Sequence, residues 1–513
     1  MPRESKVDTV TSSYHPLVSG LLTNITVSQP SGSYSATYGY DAAKRLSSVT
    51  STAGTFNYLY TNAVTNLTAA GRLVAKLSLP NTSYITNTFD SEARELSTVL
   101  KNSGNTMLNS HAYTYNKGSQ RTVMTRSDAS TVTYTYDSLG EVIKALGSGG
   151  YSTENLGYGY DPAWNLNKRT NNGSVTTFSV NNLNELSTGY TYDYNGNETA
   201  RSGAYQYSYD DENQLTSANA NGGYWQHSFV YDGRGRLRTL SDYTWNGSNY
   251  VLSATTRYIY AGMRVVQERN GNNPMVSYVY GTDVSGTFEG AGGIGGLLAR
   301  SSGTGSGSWI TNVFYYADGN GNIANLVDGS QNVVATYRYD PFGQSKYAGG
   351  AMSQENVYRF SSKRLIGDPL LYYYGYRFYD TANQRWLNRD PLGDQGFLSS
   401  KVARHFTPSR QVGELIGGPN LFAFVLNSPG LQIDRNGLEA GLCYYQASNG
   451  EWTCKGPDLP HLCDGLGKAC RAACWGAAAG AAALTCPAAG PGAALCAVAW
   501  AAAASLCSDA CPP

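Results

Sequence analysis

Phe229-Val230-Tyr231-Asp232-Gly233-Arg234-Gly235-Arg236-Leu237 holds a whole structural unit in nine residues. Aromatic side chains at alternate positions share one face of a strand. The aspartate that follows can bond backbone groups as the chain turns, and glycine takes the dihedral that other residues avoid. Arg-Leu then opens the return strand, so the unit reads as a hairpin. Full copies of its Tyr-x-Tyr-Asp signature stand at Tyr38–Asp41, Tyr134–Asp137, Tyr158–Asp161, Tyr190–Asp193, Tyr207–Asp210 and Tyr337–Asp340. Degenerate copies stand at Asn87–Asp90 and Tyr113–Asn116. Repetition at roughly twenty residues marks an array, not a compact enzyme. One hairpin is marginal in water, so neighbouring copies must pair edge to edge into a continuous antiparallel sheet.

Composition agrees. The 513 residues include 41 tyrosines and 58 glycines, which suit pleated surfaces and turns respectively. Charged residues make up 14% and the formal net charge is +0, which argues against nucleic acid as a partner of the repeat region. All nine cysteines lie between Cys443 and Cys511. The chain therefore has two chemical regimes, with a change at Leu438. Residues 1–22 carry Arg3, Glu4, Lys6 and Asp8 without a continuous apolar run, and do not read as a signal peptide. The run Gly281 to Ala299 contains a formal G-x-G-x-x-G at Gly290, Gly292 and Gly295, but no strand-to-helix context surrounds it, so it reads as a glycine turn. The five histidines lack metal-ligand spacing, and no cofactor motif is present.

From Tyr337 a series of motifs follows in order. It runs Tyr337-Arg338-Tyr339-Asp340-Pro341-Phe342-Gly343, then Leu371-Tyr372-Tyr373-Tyr374-Gly375-Tyr376-Arg377-Phe378-Tyr379-Asp380, then Trp386-Leu387-Asn388-Arg389-Asp390-Pro391-Leu392-Gly393. Asn420 to Pro429 and Asp434-Arg435-Asn436-Gly437-Leu438 close it. This ordered set resembles the core-associated region of the RHS (rearrangement hotspot), or YD-repeat, family. The resemblance implies a spiralling β strip that encloses a compartment, with a variable domain after the last Gly-Leu. The domains expected are a YD array over 1–280, a glycine-rich connection with further strands over 281–336, the RHS core over 337–438, and a variable domain over 439–513.

The resemblance also implies a site. In the family two aspartates form an aspartate-protease-like pair that cuts the chain once after the Gly-Leu. Asp390 and Asp434 match the pair, Arg389 matches a supporting basic residue, and the bond at risk joins Leu438 to Glu439. One carboxylate would activate water while a protonated partner polarises the carbonyl, and two close carboxyls favour sharing one proton. Arg435 stands where the family has proline, which removes a rigid dihedral and brings a cation near Asp434. The plainer alternative is that both aspartates only fix turns.

After Leu438 two alanine-rich runs, 472–486 and 493–507, favour helix, and Pro487, Pro491 and Gly492 separate them. An antiparallel helical hairpin would bring Cys474 to Cys507, Cys470 to Cys511 and Cys486 to Cys496. That spacing resembles the stapled hairpins of small defence peptides, and other connectivities stay open. Cys443, Cys454 and Cys463 are left over, and with His461 they form a zinc alternative. Three basic and five acidic residues beyond Leu438 give little support to a cationic membrane-seeking peptide.

The expectation is thus mainly β, an antiparallel repeat shell with a small helical, disulfide-rich carboxyl-terminal domain. In function it is an RHS polymorphic-toxin protein, secreted or delivered at the cell surface, that encloses and releases a cysteine-rich effector. The partners implied are an immunity protein against that effector and a partner that completes or delivers the shell. The rivals are a carbohydrate-binding or adhesion repeat protein and a decayed repeat fragment.

Overall fold

The computed structural model describes residues 9–16, 20–30, 33–60, 73–151, 154–303, 305, 308–391, 420–430, 432–438, 440–446 and 451–455, the last two segments as backbone. The chain divides after Cys454 into two compact units. The first consists of antiparallel sheets, and among the described residues its only helical pieces are short 3-10 turns. The helical hairpin expected over 472–507 and its six cysteines lie outside the described residues.

The repeat unit builds itself as its residues dictate. In Asp232-Gly233-Arg234-Gly235-Arg236 the Asp232 Oδ1 accepts the amides of Arg234 (2.9 Å) and Arg236 (3.1 Å), and Arg236 Nε donates to Oδ2 (2.8 Å). The same pattern recurs at Asp41 and Asp90 with Arg45 and Arg94. The fourth turn position has positive φ throughout, at 76° in Gly235 but also at 61° in Lys44 and 62° in Ala93. Glycine suits the position, while the aspartate's bonds hold other residues there.

A second device ties one unit to the next. The pairing slips by one residue between Val230 and Tyr231, and the following strand pairs with Leu215–Ala220 only from Ser217 onward. The Leu215 carbonyl is therefore outside that ladder, and the Tyr231 hydroxyl donates to it at 2.7 Å. The second tyrosine of the motif does this again in Tyr40 to Leu22, Tyr160 to Val142, Tyr260 to Leu237 and Tyr339 to Ile323, at 2.6–2.9 Å. The turn arginine stacks on the next unit's tyrosine, as Arg45 does on Tyr60 at 4.5 Å and Arg236 on Tyr260 at 4.7 Å.

Units joined in this way form two meanders. A 15-stranded sheet runs in strict chain order from Val10–Tyr14 to Ser174–Thr177, and a 14-stranded sheet runs likewise from Tyr190–Tyr192 to Ser345–Gly349. The second sheet continues through the expected connection over 281–336, and its strand Val333–Tyr339 crosses residue 337. Its middle strands, as in Tyr258–Ala261, Arg264–Gln267, Leu297–Ser301, Val313–Tyr316 and Ile323–Val327, are buried on both faces. Ile259, Ala261, Phe314, Tyr316 and Val327 pack against Val27, Tyr34, Val49 and Phe56 of the first sheet. The alternate residues Tyr258, Tyr260, Val313, Tyr315 and Leu326 face a different core. Apolar runs without polar alternation fit such a wall.

Into that other core folds a four-stranded sheet built from the RHS-like motifs, Arg364–Ile366, Leu371–Tyr373, Phe378–Asp380 and Arg385–Trp386. Its alternation splits cleanly. Leu371, Tyr373 and Phe378 pack with the second sheet, whereas Tyr372, Tyr374, Tyr379 and Trp386 pack with Val132, Val142, Leu156 and Tyr158 of the first. Finally Gln432–Asp434 pairs with Ala440–Gln446, and Glu451–Lys455 completes a three-stranded sheet. Among the described residues, backbone pairing thus passes across Leu438 and joins neither large sheet.

Candidate functional site

The fold brings Asp390 and Asp434 to one guanidinium, that of Arg377. Arg377 leads into strand Phe378–Asp380, Asp390 follows Arg385–Trp386, and Asp434 ends Gln432–Asp434. Arg377 Nη2 donates to Asp390 Oδ2 at 2.6 Å and lies 3.4 Å from Asp434 Oδ2. The two carboxylate oxygens are therefore at most about 6 Å apart, the two distances laid end to end. All three side chains are buried, with exposures of 2%, 7% and 2% for Arg377, Asp390 and Asp434. Arg377 Nη1 donates to the Leu421 carbonyl (3.1 Å), Nε donates to the Gly437 carbonyl, and the guanidinium lies 4.2 Å from the Trp386 ring centroid. A buried charge costs heavily unless its hydrogen-bonding capacity is filled, and here it is filled by carboxylates and carbonyls.

Asp434 organises the turn before the bond expected to break. Its Oδ1 accepts the amides of Asn436 (3.2 Å), Gly437 (2.6 Å) and Leu438 (3.1 Å). Burial raises its pKa above the ordinary carboxylate value, against the opposing pull of Arg377, the Gly437 and Leu438 amides, and Lys363. Lys363 Nζ donates to the carbonyls of Gly292 (2.8 Å) and Arg435 (2.6 Å). Burial pushes this ammonium down to about 8.

Arg389 does not join the group. It is exposed, its stem lies against Gly196, and among the described contacts it makes no ion pair with either carboxylate. The basic residue at the pair is Arg377, which sequence reasoning passed over. Its signal was present, because a lone cation in the apolar run Leu371 to Tyr379 needs a buried anion. The backbone of Arg435, not its guanidinium, is what Lys363 holds. Leu438 is in place beside Asp434, and Glu439 lies outside the described residues. In the glycine run, the amides of Ala291 (2.7 Å) and Gly293 (3.1 Å) are taken by the buried Asp283, so the loop is closed on its own carboxylate. Among the described residues no group of His, Cys, Asp and Glu is placed to hold a metal.

A YD meander whose last motifs fold between its own sheets and end on a buried acid pair defines a YD-repeat shell protein. Known proteins agree. No protein-family model matches the chain. The chain is 27% identical over 285 residues to the tRNA3(Ser)-specific nuclease WapA of Bacillus spizizenii, a match covering 54% of this chain and 10% of the relative. It is 25% identical over 354 residues to the double-stranded DNA deaminase toxin A of Burkholderia cenocepacia, covering 61% and 24%. The Photorhabdus luminescens Tc holotoxin pore carrying the TccC3 D651A mutation aligns with a TM-score of 0.59 at 17% identity, over 87% of this chain and 24% of that one. The TcdB2-TccC3 structure without its hypervariable carboxyl-terminal region gives 0.59 over 83% and 23%. The chain has the RHS shell fold and is similar, over part of its length, to RHS-type toxins. It spans about a tenth of the length of the first curated relatives it matches.

Proposed function

We propose that this chain is the closing segment of an RHS toxin shell and cuts its own Leu438–Glu439 bond, freeing the cysteine-rich segment as an effector. The observation that carries this reading is the meeting of Asp390 and Asp434 at Arg377, beside the turn that holds Leu438. Asp390, in the shorter contact with the cation, is the base that takes a proton from water. Asp434, whose burial favours the neutral form, is the acid. Water oxygen bonds to the Leu438 carbonyl carbon, the carbon–nitrogen bond breaks, and the Glu439 nitrogen leaves with the proton of Asp434. Because the bond sits in the same chain, its effective concentration is high, and a slow site can complete one turnover. The effector would be the stapled helical hairpin with Cys470, Cys474, Cys486, Cys496, Cys507 and Cys511. It would call for an immunity partner and a delivery partner, since the relatives are toxins and toxin assemblies.

Incubation of the purified chain followed by a denaturing gel and intact-mass analysis tests the cut. The expected products end at Leu438 and begin at Glu439. Asp390→Asn or Asp434→Asn lowers the rate by about 100-fold or more. A wild-type chain that stays whole from pH 4 to pH 8, about the range in which carboxyl and imidazole groups titrate, rules the reading out.

A further inference from the structure

Lys363 is a buried lysine that meets two main-chain carbonyls from separate segments, and neither carbonyl belongs to its own hairpin. One is Gly292 of the glycine-rich loop and the other is Arg435, next to Asp434. A second observation puts the same two segments together. Gly292 has φ of 62°, and a β-carbon on it would sit on the Arg435 carbonyl. The glycine loop is itself fixed by Asp283, which accepts the Ala291 and Gly293 amides. A rigid loop, an ammonium and the backbone of the Asp434 turn are therefore stacked in order. The flanking Asp434, Asp283 and Glu289 all favour the charged amine.

We propose that Lys363 is a positioning residue for the self-cleavage, clamping the Arg435 carbonyl to the glycine loop so that Asp434 and Leu438 hold their places beside Asp390. The proposal rests on the cleavage reading above. It accounts for Arg435 at the position where the resemblance to the RHS family implies proline. Proline would fix the dihedral at that position by its ring. Here the carbonyl of the same residue is fixed from outside by Lys363. A displacement of about 1 Å at a reacting centre can cost on the order of 100-fold in rate, so a clamp one residue from the acid belongs to the machinery without touching the scissile bond.

The test compares cleavage rates of full-length wild type, Lys363→Met, Gly292→Ala and the double variant Lys363→Met with Arg435→Pro. Lys363→Met and Gly292→Ala are expected to slow the cut by about 10-fold to 100-fold, and the added proline to recover most of the loss, a rescue that repair of general packing does not predict. To separate loss of position from loss of folding, amide exchange is also read in the Asp390→Asn background, where no cut intervenes. There Lys363→Met should speed exchange at Asn436, Gly437 and Leu438 while the large sheets keep their protection. A wild type that cuts while Lys363→Met cuts equally fast overturns the clamp alone, as do unchanged exchange at those three amides and a double variant no faster than the single. A wild type that never cuts overturns the cleavage reading and this proposal together.

Discussion

Arg377 sets the charge balance of the candidate site. Two buried carboxylates within about 6 Å of each other would favour one shared proton, but a guanidinium between them stabilises both anions. Arg377→Met removes the guanidinium that both carboxyls contact, and breaking a buried pair in this way costs about 3–5 kcal/mol. The deficit depends on pH with a definite sign. Loss of the cation raises the folded-state carboxyl pKa values, so the variant binds protons that the unfolded chain releases and loses stability as pH rises. Denaturant melts should show a large deficit at pH 7 that shrinks toward pH 4, and an equal deficit at both would contradict this charge assignment. Self-cleavage follows the same logic. Asp434 acts as the acid only while protonated, and its raised pKa extends that range upward from the ordinary carboxylate value. The wild-type rate should therefore fall as pH climbs through the Asp434 titration, and a rate that rises steadily from pH 5 to pH 8 would assign the acid elsewhere.

At the scale of the element, the YD hairpin is stabilised by bonds that the sequence spells out. Asp232→Ala removes two amide bonds and the Arg236 pair, and is expected to cost about 2–3 kcal/mol, with Asp232→Asn milder because an amide oxygen still accepts from Arg234 and Arg236. Tyr231→Phe strands the Leu215 carbonyl and should cost about 1–2 kcal/mol in a thermal or denaturant melt. If Tyr231→Phe is neutral, the hydroxyl staple does not hold units together. This level was the most legible from sequence, since aspartate at the turn and tyrosine on one face follow from side-chain chemistry alone. The break between the two sheets was not legible. Asn181 makes the same turn bonds to Leu183 (2.8 Å) and Glu185 (3.1 Å), yet its flanks pair only through the bridge Val180 to Leu186. The next tyrosine, Tyr192, accepts the Leu186 amide, where Tyr40, Tyr160, Tyr231 and Tyr339 donate to a carbonyl. A turn motif reports the turn, while the fate of the strands depends on pairing across many residues. The acid pair was legible through its motifs. Arg377 and Lys363 were not singled out, because their partners come from segments far away in the chain.

The molecule as a whole depends on a four-stranded sheet that serves two cores at once, and adjacent residues of one strand allow the two to be tested apart. Phe378 faces the second sheet, with its ring 5.2 Å from Phe229 and among Leu215, Leu237 and Leu240. Tyr379, the next residue, faces the other way, stacking 3.9 Å from Phe424 and donating to the Phe342 carbonyl at 2.8 Å, beside Val142, Leu156 and Tyr158 of the first sheet. Both side chains are buried, so each truncation to alanine should cost about 3–5 kcal/mol. The totals will look alike, but the places that loosen should differ, because local opening follows the packing that is lost. In hydrogen exchange, Phe378→Ala should raise the rates of Leu215–Ala220 and Leu237–Trp245 and leave Val142–Gly147 and Asn155–Tyr160 protected. Tyr379→Ala should do the reverse. If both variants loosen both sheets equally, the two cores behave as one cooperative body and the strand's alternation does not divide them. If each loosens its own, the RHS-like motifs act as a wedge that fastens the two meanders from within, and the acid pair at the end of that wedge inherits its rigidity from both.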